Sequence, residues 1–362
     1  MSKYYSLTAI NRKNATYNVI FGERSNGKTY ATLKQGVIDY IKNGSQMAYV
    51  RRWKEDITGR RASRLFASLV ENGEIPKLTN NQFTGVQYWA GKWYLCNYDD
   101  NGKAVYNDSD IICFSFALSD NEHDKSTSFP RINTIIFDEF LTNQIYLQDE
   151  FVLFMNTIST IVRKRDDVKI YMLGNTVNKY CPYFNEMGLN NIQQMKQGSI
   201  DVYKYGASKL TVAVEYCASV QDKNSPTVNK YFAFNNPKLE MITGGAWELS
   251  LYPHLPYKYK PKDVLLTFFI EFADNIYACE VIELDDMAFI YIHNKTTPIN
   301  KPDNHFIYSL DYNPKPNYNR NLFNPMNKAQ QRILWFFKHD KVFFQDNNVG
   351  DAVKNYLKMC GK

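Results

Sequence analysis

The most specific signal in this 362-residue sequence is the stretch Gly22-Glu23-Arg24-Ser25-Asn26-Gly27-Lys28-Thr29. It satisfies the pattern G-x-x-x-x-G-K-[ST] at every fixed position. In such a loop, glycines allow successive N–H groups to point at phosphate oxygens, and the following helix presents its positive end to the same anion. The lysine reaches the β- and γ-phosphates, and the threonine hydroxyl binds Mg²⁺. The stretch therefore predicts a nucleotide-binding loop, with Lys28 as a catalytic contact and Thr29 as a metal ligand.

The residues on either side predict a strand before this loop and a helix after it. Residues 18–21 form a short apolar run that stops at Gly22, which is typical of a buried strand. Residues 29–43 carry apolar side chains at helical spacing, and Gly44 follows as a stop signal. Further apolar runs occur at residues 47–50, 134–137 and 169–173. Buried strands that alternate with helices predict a mainly parallel sheet covered on both faces. For the stretch Gly22–Thr29, the alternative to a phosphate loop is a glycine turn that happens to precede Lys-Thr.

Two acids, Asp138 and Glu139, follow the apolar run at residues 134–137. We expect Asp138 to hold Mg²⁺ through its water shell, and Glu139 to orient and deprotonate an attacking water as general base. A kinase often lacks the second acid because its nucleophile is the substrate, so the pair favours hydrolysis. The predicted fold class is α/β, an ATPase domain of the P-loop ASCE type, with ATP and Mg²⁺ as cofactors. The competing interpretation is a strand end whose acids face solvent.

Other polar residues follow the same strand-and-helix pattern. Asn175 follows the run at 169–173, where an amide can hydrogen-bond the γ-phosphate or the water, although it is also an ordinary turn residue. Arg163-Lys-Arg165 ends a helical pattern over residues 151–163. An arginine presented to a neighbouring subunit's nucleotide stabilises the charge of the transition state. A solvated basic face at a helix C-terminus is the alternative, since the helix dipole favours it.

Composition excludes several classes of protein. Hydrophobic residues make up 44% and charged residues 22%, which rules out disorder as the main state. The six cysteines never form a C-x-x-C pair, so we expect neither a disulfide scaffold nor a structural zinc site. Basic residues outnumber acidic ones by 43 to 37, which is compatible with a nucleic-acid partner. The apolar runs are well short of the ~20 residues that a membrane span needs, so no membrane partner is expected.

The character of the sequence changes after about residue 205. Residues 80–118, well before this change, show the sequence signals of β-hairpins. Beyond residue 205, sequence patterns typical of helices become scarce. We predict an ATPase domain over residues 1–205, a linker or small connecting subdomain over 206–250, and a β-rich domain over 251–362. The last domain contains strand-like runs at 264–272, 276–282 and 288–292, then a helix-like segment at 328–337 and a short tail.

Together, several blocks of the first part resemble a known family. They are Gly22–Thr29, Tyr49-Val-Arg-Arg-Trp-Lys54, Thr134–Phe140, Val162-Arg-Lys-Arg165 and Leu173-Gly-Asn175. Their residues and spacing resemble the DNA-encapsidation (genome-packaging) ATPase of small, protein-primed tailed phages, which are phi twenty-nine-like. The likeness covers most of residues 15–185. The nucleotide motifs are shared by many families, whereas the Tyr-Val-Arg-Arg block, the Ile-Ile-Phe-Asp-Glu-Phe block and the Arg-x-Arg helix end are much more specific.

This resemblance implies a genome-packaging motor. Family members form a five-membered ATPase ring at the portal vertex of an empty capsid and pump double-stranded DNA inward. The implied partners are double-stranded viral DNA, the portal or connector of the procapsid, and further copies of the chain in a homopentamer. A packaging RNA is an additional candidate partner. The implied location is the host cytoplasm, transiently at the portal vertex, and the protein would be absent from the mature virion.

Specific basic residues carry over from the family. Arg163 resembles the trans-acting arginine finger, and Arg165 is a weaker match. Lys54 resembles a lysine that grips DNA phosphate, and we add Arg51 as a second DNA contact. Lys125 resembles a trans-acting basic residue near the nucleotide, and Arg24 falls where the family also has an arginine within the phosphate loop. For Lys54 the alternative is a basic side chain that only caps a strand end.

The family's C-terminal domain resembles a ribonuclease-H-like nuclease that has lost its metal-binding acids. Residues 251–362 are therefore predicted to form a smaller, degenerate nuclease-like domain. The candidate acids are Glu271, Asp274, Asp285, Asp286 and Asp311. A two-metal nuclease needs several carboxylates that converge on ions ~3.5–4 Å apart. No aspartate lies centrally in the run at 264–272, so we expect an inactive domain.

Two alternative functions stay open at this point. A terminase-like packaging protein would keep an active C-terminal nuclease, which a Mn²⁺-dependent cleavage assay detects. An NTP-dependent phosphotransferase or regulator would use the same phosphate loop without any role for DNA. DNA-stimulated ATP hydrolysis separates this second alternative from a packaging motor.

Overall fold

The computed structural model describes residues 4–120, 127–143, 146–178, 180–206, 208–219 and 251–360. The chain divides into two units, Met1–Glu248 and Leu249–Lys362. Within the described ranges, no helix has both the length and the apolar character that crossing a membrane requires.

The first unit contains the predicted alternation of strands and helices. Its strands are β1 Tyr17–Gly22, β2 Gln46–Arg51, β3 Gly85–Trp89, β4 Lys92–Tyr98, β5 Ala104–Val105, β6 Ile111–Ala117, β7 Ile132–Asp138, β8 Lys169–Asn175, β9 Ile200–Lys204 and β10 Thr211–Tyr216. Its α-helices are α1 Thr8–Asn11, α2 Lys28–Asn43, α3 Gly59–Ser63, α4 Ala67–Glu71, α5 Glu74–Leu78, α6 Glu150–Val162 and α7 Pro182–Glu186.

The centre of the first sheet is parallel, in the order β6-β2-β7-β8-β1-β10. Antiparallel strands β4 and β3 extend one edge, and β9 extends the other. Strand β8 lies between β1 and β7, so an additional strand separates the phosphate loop from the acid pair. The predicted mainly parallel α/β fold is confirmed. Because parallel strands share a carboxyl edge, Gly22, Asp138 and Asn175 end at the same edge.

Apolar side chains pack on both faces of this sheet, as a doubly covered sheet requires. Successive residues of a strand point to opposite faces. Ile20 packs on one face with Leu33 of α2, whereas Phe21 packs on the other with Phe154 of α6. Helices α2 and α6 therefore cover opposite faces, and each one directs a terminus toward a sheet edge.

The first sheet continues beyond residue 205, where the sequence changes character. Strand β10 pairs in parallel with β1, and β9 pairs with β10 in antiparallel fashion. The predicted 206–250 linker thus begins inside the sheet, and residues 220–250 lie outside the described residues. Helical patterns become scarce at this point because the chain adds strands to an existing sheet.

The second unit is a six-stranded sheet with two helices within residues 251–360. Its elements are β11 Val264–Phe272, β12 Asn275–Leu284, β13 Met287–Lys295, β14 Ile307–Ser309, β15 Tyr318–Asn319, α8 Lys328–Lys338, β16 Val342–Phe344 and α9 Asn347–Cys360. The strand order is β15-β14-β11-β12-β13-β16. Strands β11, β12 and β13 form an antiparallel meander, and β14 runs parallel to β11. The strand-like runs and the helix-like segment of the sequence are confirmed.

The predicted short tail is wrong, because residues 347–360 form helix α9. Two asparagines and Gly350 make the start of this segment a poor helix by propensity. Tertiary packing compensates, since Val353 and Tyr356 are fully buried. Gly350 is required by close approach: a Cβ atom there would lie 2.3 Å from the ring of Tyr252.

Candidate nucleotide-binding site

The phosphate loop connects β1 to the N-terminus of α2. Gly27 caps this 16-residue helix with a φ of 95°, a left-handed conformation that favours glycine. Gly27 has no side chain that could bond the helix, Asn26 Oδ1 accepts the Lys28 N–H over 3.2 Å, and no acid lies in the first turn. The N–H groups of the first turn therefore face the loop at the positive end of the helix dipole, which suits a phosphate.

Lys28 is the buried cation of this loop, with 6% of its surface exposed. Its ammonium donates to the Glu23 carbonyl over 2.8 Å, to Asn26 Oδ1 over 3.1 Å and to Asn175 Oδ1 over 3.3 Å. Burial lowers the pKa of Lys28, while the Asp138 carboxylate acts in the opposite direction. A bound phosphate would place an anion directly beside this desolvated ammonium.

Asp138 lies at the end of β7 and is nearly buried. Its Oδ2 accepts hydrogen bonds from the Thr29 hydroxyl and from the Tyr49 hydroxyl, both over 2.9 Å. Its Oδ1 accepts the Glu139 N–H over 2.9 Å. Mg²⁺ in nucleotide sites is bound through one or two carboxylates, with waters and phosphates completing the octahedron. The hydroxyl of Thr29 and the carboxylate of Asp138 fit that donor set.

Glu139 turns away from the sheet with a φ of 57°, which is unusual for a residue other than glycine. Its carboxylate is 58% exposed and lies 2.6 Å from the guanidinium of Arg51. Arg51 also contacts Asp56 over 3.3 Å and is only 15% exposed. The DNA contact by Arg51 stays a prediction, and in this arrangement its guanidinium is engaged by two carboxylates.

A cavity of about 470 Å³ lies beside Glu139. It is lined by Arg51, Arg52, Trp53, Glu55, Asp56, Arg61, Glu139 and Thr142. The lining is largely polar, so the cavity can hold water in contact with the Glu139 carboxylate. The base candidate thus has both a cation partner and access to solvent.

Arg163 follows α6 directly and is exposed. Its guanidinium donates to the Thr127 carbonyl over 2.6 Å. Strands β7 and β8 are parallel, so α6 returns the chain from the carboxyl edge to the amino edge of the sheet. A 13-residue helix spans about 20 Å. Arg163 therefore lies too far from the phosphate loop to touch a nucleotide bound by its own subunit.

Arg165 has a local structural role. Its guanidinium donates to the carbonyl groups of Phe129, Pro130, Ile132 and Ile161. These bonds connect the end of α6 to the segment that enters β7. The geometry thus separates Arg165 from Arg163, which the sequence alone left as alternatives.

The other predicted basic residues differ in exposure. Lys54 is 59% exposed and forms an ion pair with Asp120 over 2.6 Å. Ion pairs between exposed side chains are weak, so a DNA phosphate can replace Asp120 as the partner of Lys54. Arg24 is exposed within the loop. Lys125 lies outside the described residues.

Sequence reasoning missed Tyr49, Arg52 and Glu150. Tyr49 donates to Asp138, and Arg52 forms a buried ion pair with Glu150 over 2.7 Å. A signal was present, because a tyrosine and two arginines at the end of a buried strand all need polar partners. The partners themselves are distant in sequence, so the pattern could not name them.

Comparison with known proteins gives one family. The model of the podovirus DNA encapsidation protein (Gp16) matches residues 1–216. The DNA packaging protein of Bacillus phage B103 is 29% identical over 175 residues, 48% of each chain. The DNA packaging protein of Bacillus phage phi29 is 28% identical over 170 residues, 46% of this chain and 45% of that protein. The chain thus spans about half the length of the curated relatives it matches.

Two solved structures share the fold. A chain of the bacteriophage Phi-29 viral genome packaging motor assembly superposes with a TM-score of 0.60 at 20% identity, covering 99% of this chain and 100% of that one. A chain of the Phi-28 gp11 DNA packaging motor gives 0.56 at 16% identity, covering 100% and 99%. At these identities the likeness concerns the fold alone.

Proposed function

This chain belongs to the podovirus DNA encapsidation protein family, and we propose that it hydrolyses ATP to drive double-stranded viral DNA into a preformed procapsid. The observation that carries the proposal is the meeting of Lys28, Thr29, Asp138 and Asn175 at one sheet edge, with Glu139 next to them. A cation, a hydroxyl, a carboxylate and an exposed second carboxylate are the groups that ATP hydrolysis requires.

In the proposed reaction, Lys28 binds the β- and γ-phosphates and exchanges its bonds to loop oxygens for phosphate oxygens. Thr29 and Asp138 would hold Mg²⁺, and the bound ion would neutralise phosphate charge. Asn175, already bonded to Lys28, lies where it can contact the γ-phosphate or the water.

Glu139 is the proposed general base, and its carboxylate accepts a proton from the attacking water. In the described state that carboxylate is paired with Arg51 over 2.6 Å. We propose this pair as the resting contact of the site, in which Oε2 of Glu139 passes from Arg51 to the attacking water during turnover.

We propose that Arg163 acts on the nucleotide of a neighbouring subunit, which its position at the opposite sheet edge supports. A trans-acting arginine requires an oligomer, and the homopentameric ring at the portal is the family-based form of that oligomer. Lys54, exposed on the 3₁₀ turn Lys54–Ile57, is the proposed DNA contact. A packaging RNA is a further proposed partner, and the proposed location is the host cytoplasm, at the portal vertex, with release before the virion matures.

The second unit is proposed to be a degenerate ribonuclease-H-like domain. The strand order supports this proposal. The antiparallel meander of β11, β12 and β13 is followed by β14 and β15, which run parallel to β11, as in the ribonuclease-H fold. Glu271 and Asp311 lie at one end of the sheet, whereas Asp285 and Asp286 lie in the turn at the other end of β12. Asp274 lies in the β11–β12 turn, at the same end as Glu271. Ten strand residues span roughly 33 Å, so Asp285 and Asp286 lie far from the other three acids. Within the described residues, no three acidic, histidine or cysteine side chains are placed to hold a metal ion, which supports an inactive domain.

The test is ATP hydrolysis by the full chain, with and without double-stranded DNA and procapsids, together with protection of DNA from added nuclease. We expect DNA and procapsids to stimulate hydrolysis and DNA to become protected. Glu139→Gln should bind ATP and protect no DNA. Hydrolysis that ignores DNA would contradict the motor and favour a phosphotransferase or regulator. Plasmid cleavage in Mn²⁺ that Glu271→Ala abolishes would contradict the inactive second unit.

A further inference from the structure

A buried ion pair lies directly beneath the turn that carries Glu139. Arg52 follows β2, and Glu150 is the first residue of α6. Their side chains are 7% and 0% exposed. Arg52 Nε donates to Glu150 Oε2 over 2.7 Å, and Nη2 donates to Oε1 over 2.8 Å. This two-bond geometry fixes the plane of the guanidinium as well as its position.

The surroundings of Glu150 hold the pair in a single orientation. Its Oε2 also accepts the Leu147 N–H over 2.7 Å, and its Oε1 accepts the Tyr183 hydroxyl over 2.9 Å. The ring of Tyr146 lies over the guanidinium of Arg52, 4.9 Å from ring centre to carbon. Both carboxylate oxygens are therefore bonded twice, and the buried network is well satisfied.

The remaining donors of Arg52 bind the main chain at the acid pair. Nη1 donates to the Glu139 carbonyl over 3.2 Å, and Nη2 donates to the Phe140 carbonyl over 2.9 Å. Glu139 has the left-handed φ of 57° that costs a non-glycine residue free energy. Such a conformation persists only where surrounding bonds hold it. Here one guanidinium binds two consecutive carbonyl groups of the strained turn.

We propose that Arg52, held by Glu150, is a positioning residue that sets the direction in which the Glu139 carboxylate projects from the sheet. This inference rests on the proposed role of Glu139 as general base. The consecutive arginines then have separate functions: Arg51 binds the carboxylate of Glu139, whereas Arg52 binds its backbone. Lysine cannot replace Arg52, because a single ammonium cannot reproduce the planar fork.

The test compares steady-state ATP hydrolysis by full-length Arg52→Lys, Glu150→Gln and wild type. We expect Arg52→Lys to lower kcat by about 10²-fold, as a displaced catalytic group does, and to leave KM for ATP unchanged within about twofold. Glu150→Gln should lower kcat in the same way but less. Glu74→Gln, which breaks the Lys34–Glu74 ion pair of 2.8 Å elsewhere in this unit, is the matched control and should retain wild-type kcat.

A double variant identifies the path of the effect. If Arg52 acts through Glu139, Arg52→Lys adds nothing to the loss caused by Glu139→Gln. Wild-type kcat in Arg52→Lys, or a further loss in the double variant, overturns the inference. Nucleotide binding by a fluorescent ATP analogue reports folding, and if Arg52→Lys fails to bind, Glu150→Gln decides by the same criteria. A wild-type chain without ATP hydrolysis would instead contradict the proposed function, and this inference with it.

Discussion

Both sheets of this protein end strands with carboxylates, but their surroundings differ. In the first unit, Asp138 accepts hydrogen bonds from two hydroxyl groups, and Glu139 forms an ion pair with the guanidinium of Arg51. In the second unit, Glu271 lies near Asp311. Burial is the larger of two effects that raise the pKa of Glu271, and the like charge of Asp311 is the smaller. Hydrogen-bond donors surround Asp138 and Glu139, whereas the carboxylates of Glu271 and Asp311 repel each other.

The difference lies in what the neighbouring elements supply, since, of these strand-end acids, only those of the first unit receive cationic side chains from other described elements. In the first unit, α2 contributes Lys28 and Thr29, and the end of β2 contributes Arg51. In the second unit, the hydroxyl of Ser309 is the donor that lowers the pKa of Glu271, against the larger effects of burial and Asp311. One hydroxyl offsets little of the cost of desolvating the half-buried Glu271 carboxylate.

The largest effect is expected from removal of Lys28, because it leaves the strand-end acids of the first unit without their nearest lysine, as in the second unit. We expect Lys28→Ala to reduce ATP hydrolysis to background, at least about 10³-fold, because phosphate loses its buried partner. Isothermal titration with a non-hydrolysable ATP analogue should show weakened binding. Lys34→Ala, on the same helix but paired with Glu74, is the control. Hydrolysis retained by Lys28→Ala would contradict the proposed phosphate contact.

A second substitution tests whether a neighbouring subunit adds to the positive charge of the first site. We expect Arg163→Ala to lower hydrolysis by about 10³-fold, as loss of an arginine finger does. In mixtures with wild type, hydrolysis should fall more steeply than the fraction of mutant subunits. Lys164→Ala, exposed at the next position, should behave as wild type. A strictly proportional decrease, or equal rates in monomers and rings, would refute action in trans.

A smaller effect is expected from the hydroxyl donors of Asp138. Tyr49→Phe removes one of the two bonds to Oδ2 and keeps the ring packed against Trp93. The Mg²⁺ concentration for half-maximal hydrolysis should rise about tenfold, because partners of a metal ligand tune its affinity. Tyr171→Phe, which loses only a bond to Asn11, is the control. Equal Mg²⁺ dependence in both variants would exclude this role for Tyr49.

The smallest effect concerns the second sheet. The pKa of Glu271 is raised above its ordinary 4.5, so its native-state contribution is fully present below pH 4.5 and is lost as pH rises through the folded pKa. Glu271→Gln should therefore stabilise β11 at pH 7, by less than about 1 kcal/mol, and change nothing near pH 4. Hydrogen exchange of residues 264–272 in the full chain, compared with exposed Asp274→Asn, measures this. Equal protection of wild type and Glu271→Gln at pH 7 would show that the pair does not repel.

Local patterns predicted much of the first unit. The phosphate loop, the strand before it and the helix after it are contiguous, so periodicity and glycine chemistry were sufficient. The positions of the acids at the end of β7 and of Asn175 at the end of β8 followed from the same logic, because parallel strands share a carboxyl edge. Helix α9 was missed because its propensity is weak and its stability comes from the packing of Val353 and Tyr356.

By itself, the sequence determined where the phosphate-loop motif and the strand-end acids occur along the chain, since those residue types occur at fixed local spacing. Only the tertiary structure decided their partners. Arg51 meets Glu139 and Arg52 meets Glu150 across 88 and 98 residues of chain, after β2 and β7 pair. Side-chain direction depends on strand register and on which helix covers each face, and both are properties of the assembled sheet. The folded sheet therefore pairs two adjacent arginines with two different carboxylates.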